Sequence, residues 1–234
     1  MNKKIKQLKN YAIILASGSG SRFGSKIPKQ FIKIKGKTLL EYSIEAFENH
    51  NDIDYIIVVI SKEYRKRAEK LINKNCYKKI YALINGGELR KDSSYNGVFS
   101  IKDKEANVLI HDCARPFVSD KIISDCVNTL KNHTAVGVAI PTTDTIIKVY
   151  KNIIKDIPKR DSLMRIQTPQ CFRLSLIKKA HEMSKNDADF TDDCGLVVKY
   201  NLADICIVEG NDSNFKITYP NDIIVAKEYL KLKK

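Results

Sequence analysis

The stretch "ILASGSGSRFGSKIPKQF" (14–31) sets Gly18, Gly20 and Gly24 among Arg22, Lys26 and Lys29, directly after an apolar run. Residues without a Cβ let backbone N–H groups approach an anion closely. Guanidinium and ammonium groups supply the countercharge for a polyphosphate. Two familiar phosphate loops do not fit. A dinucleotide fingerprint needs G-x-G-x-x-G, and this loop reads G-S-G-S-R-F-G; a Walker A loop needs G-K-[ST], and here the order is G-S-K. Further along, "HDCARPF" (111–117) places His111 and Asp112 side by side at the end of an apolar segment. A carboxylate at a strand end reads as part of a site. His111 reads as a structural hydrogen-bonding group rather than a base. Cys113 lacks the paired base that a catalytic thiol needs. Asp192 and Asp193 read as negative charge for a helix N-terminus. Lys26 and Lys33 read as solvent-facing.

Such groups need a scaffold that brings distant segments to one edge. The first half of the chain alternates. "YAIILAS" (11–17), "DYIIVVIS" (54–61), "IYALING" (80–86) and "NVLIHD" (107–112) read as strands. "TLLEYSIEAFENH" (38–50), "KEYRKRAEKLINK" (62–74), "RKDSSYNGVFSIK" (90–102) and "SDKIISDCVNTLKNH" (119–133) read as helices, the last with a Ser/Asp cap. Near-continuous apolar strands between helices predict a mostly parallel, Rossmann-like α/β sheet with helices on both faces. In such sheets ligands bind beyond the carboxyl ends of the strands, where the 14–31 loop falls.

The alternation breaks at 135–160, which predicts a β-hairpin with Lys151 and Asn152 near its tip. After it, "RLSLIKKAHEMSK" (173–185) reads as a helix, followed by a short helix from Thr191. "DICIVEG" (204–210) and "FKIT" (215–218) read as strands, and a last helix starts at Asn221. With no repeat and no low-complexity linker, the expectation is one domain over 1–234 carrying a protruding arm at about 141–166.

The totals fit an ordinary globular chain: 234 residues, 43 % hydrophobic and 29 % charged. No stretch is apolar for long enough to span a bilayer, and the basic start "MNKKIKQLKN" lacks the apolar core of a signal peptide. Six cysteines without a C-x-x-C pair predict reduced thiols and a cytoplasmic location. The net charge of +14 is compatible with nucleic acid or with anionic small molecules. The cations are scattered and no aromatic-and-basic recognition module occurs, so nucleic acid and membrane are not expected partners.

Taken in order, the motifs resemble a known family. G-x-G-x-R followed by "PKQF" resembles the signature loop of nucleotidyltransferases that act on sugar and polyol phosphates, in its cytidylyltransferase form. "GGELRKDS" (86–93), "HDCARPF", "TTDTIIK" (142–148), Arg160, "QTPQCF" (167–172), "TDD" (191–193) and "NFKIT" (214–218) follow in the same order. The resemblance covers 11–231 and is to the group of 2-C-methyl-D-erythritol 4-phosphate and ribitol-5-phosphate cytidylyltransferases. It implies transfer of a cytidylyl group from CTP to a polyol phosphate, with pyrophosphate released and Mg²⁺ required.

The roles that follow are implied by the resemblance. Arg22 and Lys29 hold the triphosphate and stabilise the transition state, and Lys216 stands between the two phosphates. Ala16, Ser17, Gly18, Ser19 and Gly20 lie along ribose and phosphates. Gly87, Glu88 and Ser93 read cytosine. Asp112 orients metal or ribose. Arg115, Thr145, Arg160 and Thr168 bind the polyol phosphate. The arm crosses to a second subunit, so that Arg160 serves the site of its homodimer partner.

For the acceptor, Met164 in place of an aromatic residue, and "DIPKR" before it, favour an alditol phosphate such as ribitol 5-phosphate, used for surface glycans. Methylerythritol phosphate is the alternative. A non-catalytic nucleotide- or nucleic-acid-binding protein is the competing class. The joint presence of Arg22, Lys29, Arg115, Arg160 and Lys216 argues against it.

Overall fold

The computed structural model describes residues 8–18, 20, 23–24, 27–185, 187 and 190–232. Among these, strands β1 (Lys9–Leu15), β4 (Tyr55–Ile60), β5 (Ile80–Asn85), β6 (Ala106–Asp112), β7 (Ala135–Pro141), β10 (Met164–Arg173) and β11 (Cys206–Glu209) form one sheet in the order β11-β7-β10-β6-β1-β4-β5. Every neighbouring pair is parallel except those of β10, which runs antiparallel to both β6 and β7. The expected Rossmann-like sheet is therefore present. Its antiparallel member is the unexpected one, because the polar residues of "QTPQCF" give no strand signal.

Alternate side chains of β1 divide between two cores. Ala12 and Ile14 face one, with α1 (Leu39–Glu48), α2 (Arg65–Asn75), α4 (Asp120–Thr129) and α7 (Asp222–Leu232) packed over it. Tyr11, Ile13 and Leu15 face the other, under α3 (Arg90–Phe99), α5 (Leu174–Met183) and α6 (Asp193–Lys199). This is why β1 reads as uninterrupted apolar sequence: both of its faces are buried. Gly97 lets α3 lie close to the sheet, since a Cβ there would stand 2.7 Å from Ile13 Cγ2. Caps start the helices where the sequence places them: the Thr38 hydroxyl accepts from Glu41 N–H, and the Ser119 hydroxyl from Ile122 N–H.

A small hairpin of β2 (Lys33–Ile34) and β3 (Lys37–Thr38) turns through Gly36 at φ 89°. The arm is a second hairpin, β8 (Lys148–Tyr150) with β9 (Ile153–Asp156). Lys151 and Asn152 form its turn, both at positive φ (48° and 61°), as a two-residue hairpin connection with right-handed twist prefers. Val149, Tyr150, Ile153 and Ile154 are all exposed on it.

One strand expectation fails. Phe215–Thr218 joins no ladder; it is held by Ile217 N–H donating to Ala114 O (2.8 Å) and by the Asp222 carboxylate, which accepts from Thr218 and Tyr219 N–H. Ile217 is fully buried as a plug in the core. Its β-like composition reflects burial rather than strand pairing.

Candidate active site

A cleft of about 680 Å³ opens at the carboxyl ends of the parallel strands. Ala16, Ser17, Gly18 and Gly20 after β1, Gly87–Arg90 and Ser93 at the start of α3, Asp112 at the end of β6, Lys29, Phe190, Thr191 and Lys216 all line it. Ser19 and Arg22 lie outside the described residues.

The side formed by β1 and α3 is held by hydroxyls. Ser17 and Ser93 share a hydrogen bond of 2.7 Å, and Gly87 N–H donates to Ser93 Oγ (3.1 Å). The approach is so close that a Cβ on Gly86 would lie 2.3 Å from Ser17 Cβ. "GG" is therefore required here by contact between two loops. Gly20, at φ 68°, turns the chain so that its α-carbon stands against Lys29.

The floor is built on Asp112. Its backbone N–H donates to Thr168 Oγ1 (3.1 Å), and Thr168 Oγ1 stands 3.1 Å from His111 Nδ1. His111 Nε2 lies 2.9 Å from Arg115 O. A carbonyl only accepts, so the network assigns the ring proton to Nε2, and Nδ1 accepts from the threonine hydroxyl. Burial pushes His111 down to about 4. It is a neutral strut, as the sequence indicates. Thr168, expected at the polyol phosphate, stands behind Asp112 with its hydroxyl committed to these two partners, and is buried.

The Asp112 carboxylate lies between two cations. Arg90 Nε donates to Oδ1 (3.1 Å) and Lys216 Nζ to Oδ2 (2.7 Å). Burial alone would raise its pKa, but Arg90 and Lys216 outweigh it and hold the group far below the ordinary carboxylate range. Arg90 continues to a second carboxylate, with Nη1 donating to Asp193 Oδ2 (2.7 Å). Asp193 is fully buried and also accepts from Ser94 Oγ. It opens α6, as its reading as helix-terminal charge expects, and its pairing with Arg90 is an added role. Asp192 alone caps α6, accepting from Gly195 N–H (3.0 Å).

Arg115 reaches Asn214 O (2.8 Å) through Nη1, and burial lowers its pKa. Asn214 in turn donates to Gln167 Oε1 and Thr168 O, bolting the Lys216 segment to β10. Thr145 and Arg160 are exposed on the arm, 3.4 Å apart, and neither is among the described residues that line the cleft of their own chain. Cys113 lines the cleft, but burial pushes its thiol up to about 12. Arg90, Asp193 and Asn214 are the residues that sequence reasoning missed. The one signal for Arg90 was its place inside "GGELRKDS".

A pH dependence follows from the buried histidines. Burial holds His111 and His181 below their ordinary 6.5, so the unfolded chain binds protons that the folded chain refuses. Their contribution to stability is complete above about 6.5 and shrinks as pH falls below it, for His111 toward about 4. The melting temperature should fall between pH 7 and pH 4.5. A flat profile over that range would contradict two neutral, buried rings.

The family model described as IspD, 2-C-methyl-D-erythritol 4-phosphate cytidylyltransferase, matches residues 11–232. The chain belongs to this family. A 2-C-methyl-D-erythritol 4-phosphate cytidylyltransferase of Thermobifida fusca is 38% identical over 94% of this chain and 92% of its own length. A bifunctional ribulose 5-phosphate reductase/CDP-ribitol pyrophosphorylase of Haemophilus influenzae is 40% identical over 97% of this chain, which spans 48% of that protein. The crystal structure of a 4-diphosphocytidyl-2C-methyl-D-erythritol synthase from Anaerococcus prevotii superposes with TM-score 0.85 at 30% identity, covering 96% of each chain. The chain is thus a CTP-dependent cytidylyltransferase. On the acceptor, the family model, the Thermobifida relative and the Anaerococcus structure weigh against the alditol expectation drawn from Met164 and "DIPKR". Among the described residues, no helix is long and apolar enough to cross a membrane.

Proposed function

We propose that this cytidylyltransferase acts on 2-C-methyl-D-erythritol 4-phosphate. A phosphate oxygen of the acceptor attacks the α-phosphorus of CTP. The new P–O bond forms as the bond to pyrophosphate breaks. The nucleophile is already an anion, so the reaction needs positioning and charge stabilisation rather than a base. The observation that carries the reading is the convergence of Lys29, Asp112 and Lys216 on one cleft beside the Gly87–Ser93 turn. The state of His111 agrees with it, since the ring is neutral and both of its nitrogens are committed to protein partners.

In this reading Ala16–Gly20 cradle ribose and phosphates, and Gly87, Glu88 and Ser93 receive the cytosine. Arg22 and Lys29 neutralise the phosphates, Lys216 bridges the reacting pair, and Arg115 serves the acceptor phosphate. Thr168 acts through Asp112. For Mg²⁺, the floor of the cleft offers one carboxylate, Asp112, with no cluster of three metal-type side chains among the described residues. That suits an ion that keeps its waters and takes most other ligands from phosphates. Asp112 would hold it. When bound, the ion supplies neutralisation of phosphate charge.

Thr145 and Arg160 reach an acceptor only in a partner's cleft, and the exposed apolar arm fits a homodimer. Arg160→Ala and Lys216→Ala subunits, each inactive alone, should regain activity when mixed, because one site of the mixed dimer is intact. No recovery would exclude the shared site.

Ribitol 5-phosphate is the second reading, favoured by the 40% identity to the Haemophilus protein. Pyrophosphate release with CTP and Mg²⁺, tested on methylerythritol 4-phosphate, ribitol 5-phosphate, glycerol 3-phosphate and glucitol 6-phosphate, separates the two. Turnover with methylerythritol phosphate is expected. Turnover confined to ribitol phosphate would replace the proposal. Duplex DNA bound more tightly than CTP at physiological salt would remove both.

A further inference from the structure

Arg90 is a cation where the backbone disfavours one. It opens α3, and the N-terminus of a helix carries partial positive charge. Its guanidinium is also largely withdrawn from water, with 21% of the side chain exposed. Two carboxylates offset both penalties. Nε reaches Asp112 Oδ1 (3.1 Å) and Nη1 reaches Asp193 Oδ2 (2.7 Å), while Nη2 is buried without a partner among the described residues.

The two carboxylates are not equivalent. Asp193 is an anchor. It is completely buried, its Oδ1 accepts from Ser94 Oγ (2.5 Å), and its N–H donates to Gln170 Oε1 (2.8 Å). Asp112 is a working group that lines the cleft. Its two oxygens differ in the same sense. Oδ1 meets Arg90, which Asp193 also holds, and Oδ2 meets Lys216, whose side chain is 35% exposed. Arg90 is tied to a second, buried carboxylate and is the less exposed of the two cations, 21% against 35%.

We propose that Arg90 is a positioning residue for cytidylyl transfer, locking the Asp112 carboxylate to the buried Asp193 anchor so that Oδ2 stays turned to Lys216 and the incoming nucleotide. The proposal rests on the cytidylyltransferase reading of this cleft. It explains why the fork of an arginine is used, since a lysine has one ammonium and cannot hold two carboxylates in fixed planes.

The test is Arg90→Lys, alone and combined with Asp112→Asn. The ammonium can pair with Asp193 and preserve the fold, leaving Asp112 unlocked. The kcat should fall about 10²-fold, the loss typical of small misplacement at a reacting centre, with KM for CTP little changed. If Arg90 acts through Asp112, the same change in the Asp112→Asn background should add less than about twofold. Wild-type kcat in R90K, or losses that simply multiply in the double variant, would overturn the proposal. Should R90K not fold, R90Q replaces it in the same cycle; unfolding of both makes the residue structural and also overturns it. If wild-type protein turns over no acceptor, the functional reading has failed on its own. A crystal structure of R90K then decides: a rotated Asp112 carboxylate supports the lock, and an unmoved one rejects it.

Discussion

Asp112→Asn should damage rate and stability together. The asparagine keeps the shape but removes the charge that faces both Arg90 and Lys216. Taking one partner from a largely buried ion pair leaves an uncompensated charge, and the expected loss is about 3 kcal/mol. For a chain of this length that lowers the melting temperature by about 6–12 °C. Arg90 remains paired with Asp193, which keeps the loss from being larger. Turnover should fall at least about 10²-fold, because Lys216 loses the group that orients it. The pH dependence has a definite sign. The Asp112 carboxyl is held far below its ordinary 3.8 in the folded chain, so its stabilisation is present above that value and is lost as pH falls below it. The gap between wild type and variant should be widest near neutrality and narrow progressively below about pH 4. Urea unfolding at pH 7 and at pH 3 measures this. Equal gaps at both values would mean that the carboxylate is not charged and paired in the folded protein.

The alternation of apolar runs and helical spacings made the parallel half of the sheet legible, because strands buried on both faces leave a continuous hydrophobic signal. β10 left none. Its inner residues Gln167, Thr168 and Gln170 are polar yet buried, and they are polar because they serve other segments. Gln170 Oε1 accepts from Asp193 and Cys194 N–H, and Thr168 holds Asp112 N–H. A strand that works as a bracket does not read as a strand. The reverse error occurred at 215–218, where β-branched and aromatic residues fill a core plug.

The site divides along the same line. Asp112 could be placed from sequence because it ends a strand. The loop that precedes Lys29 was legible from its glycines. The pairing of Arg90 with Asp193 spans 103 positions, and no local spacing reports it. Two adjacent aspartates look alike in sequence; only the path of the chain shows that one caps α6 and the other is buried under Arg90.

Lys216→Ala should separate what Asp112→Asn combines. Lys216 Nζ makes the shortest contact to Asp112, at 2.7 Å, yet its side chain is 35% exposed. Solvent screens such a pair, so its removal should alter stability by no more than about 1 kcal/mol. Arg90 still satisfies the carboxylate it leaves behind. The segment carrying it is held independently, through Ile217 N–H on Ala114 O and the side chain of Asn214. Its effect on rate should be of another order. A partly exposed ammonium lining a site for two polyanions contributes most when negative charge is spread between them, and losing one such preorganised donor lowers kcat about 10²–10³-fold. Lys216→Arg should not restore the rate, since a planar fork cannot replace a compact ammonium that must pass from carboxylate to phosphate. Thermal melts beside steady-state kinetics make the comparison. An alanine variant that keeps kcat within about tenfold would place the transferable charge elsewhere in the cleft, with Lys29 the next residue to test. A variant that unfolds instead would show that the 214–218 segment depends on this ion pair, and that Asp112 relies on Lys216 as much as on Arg90.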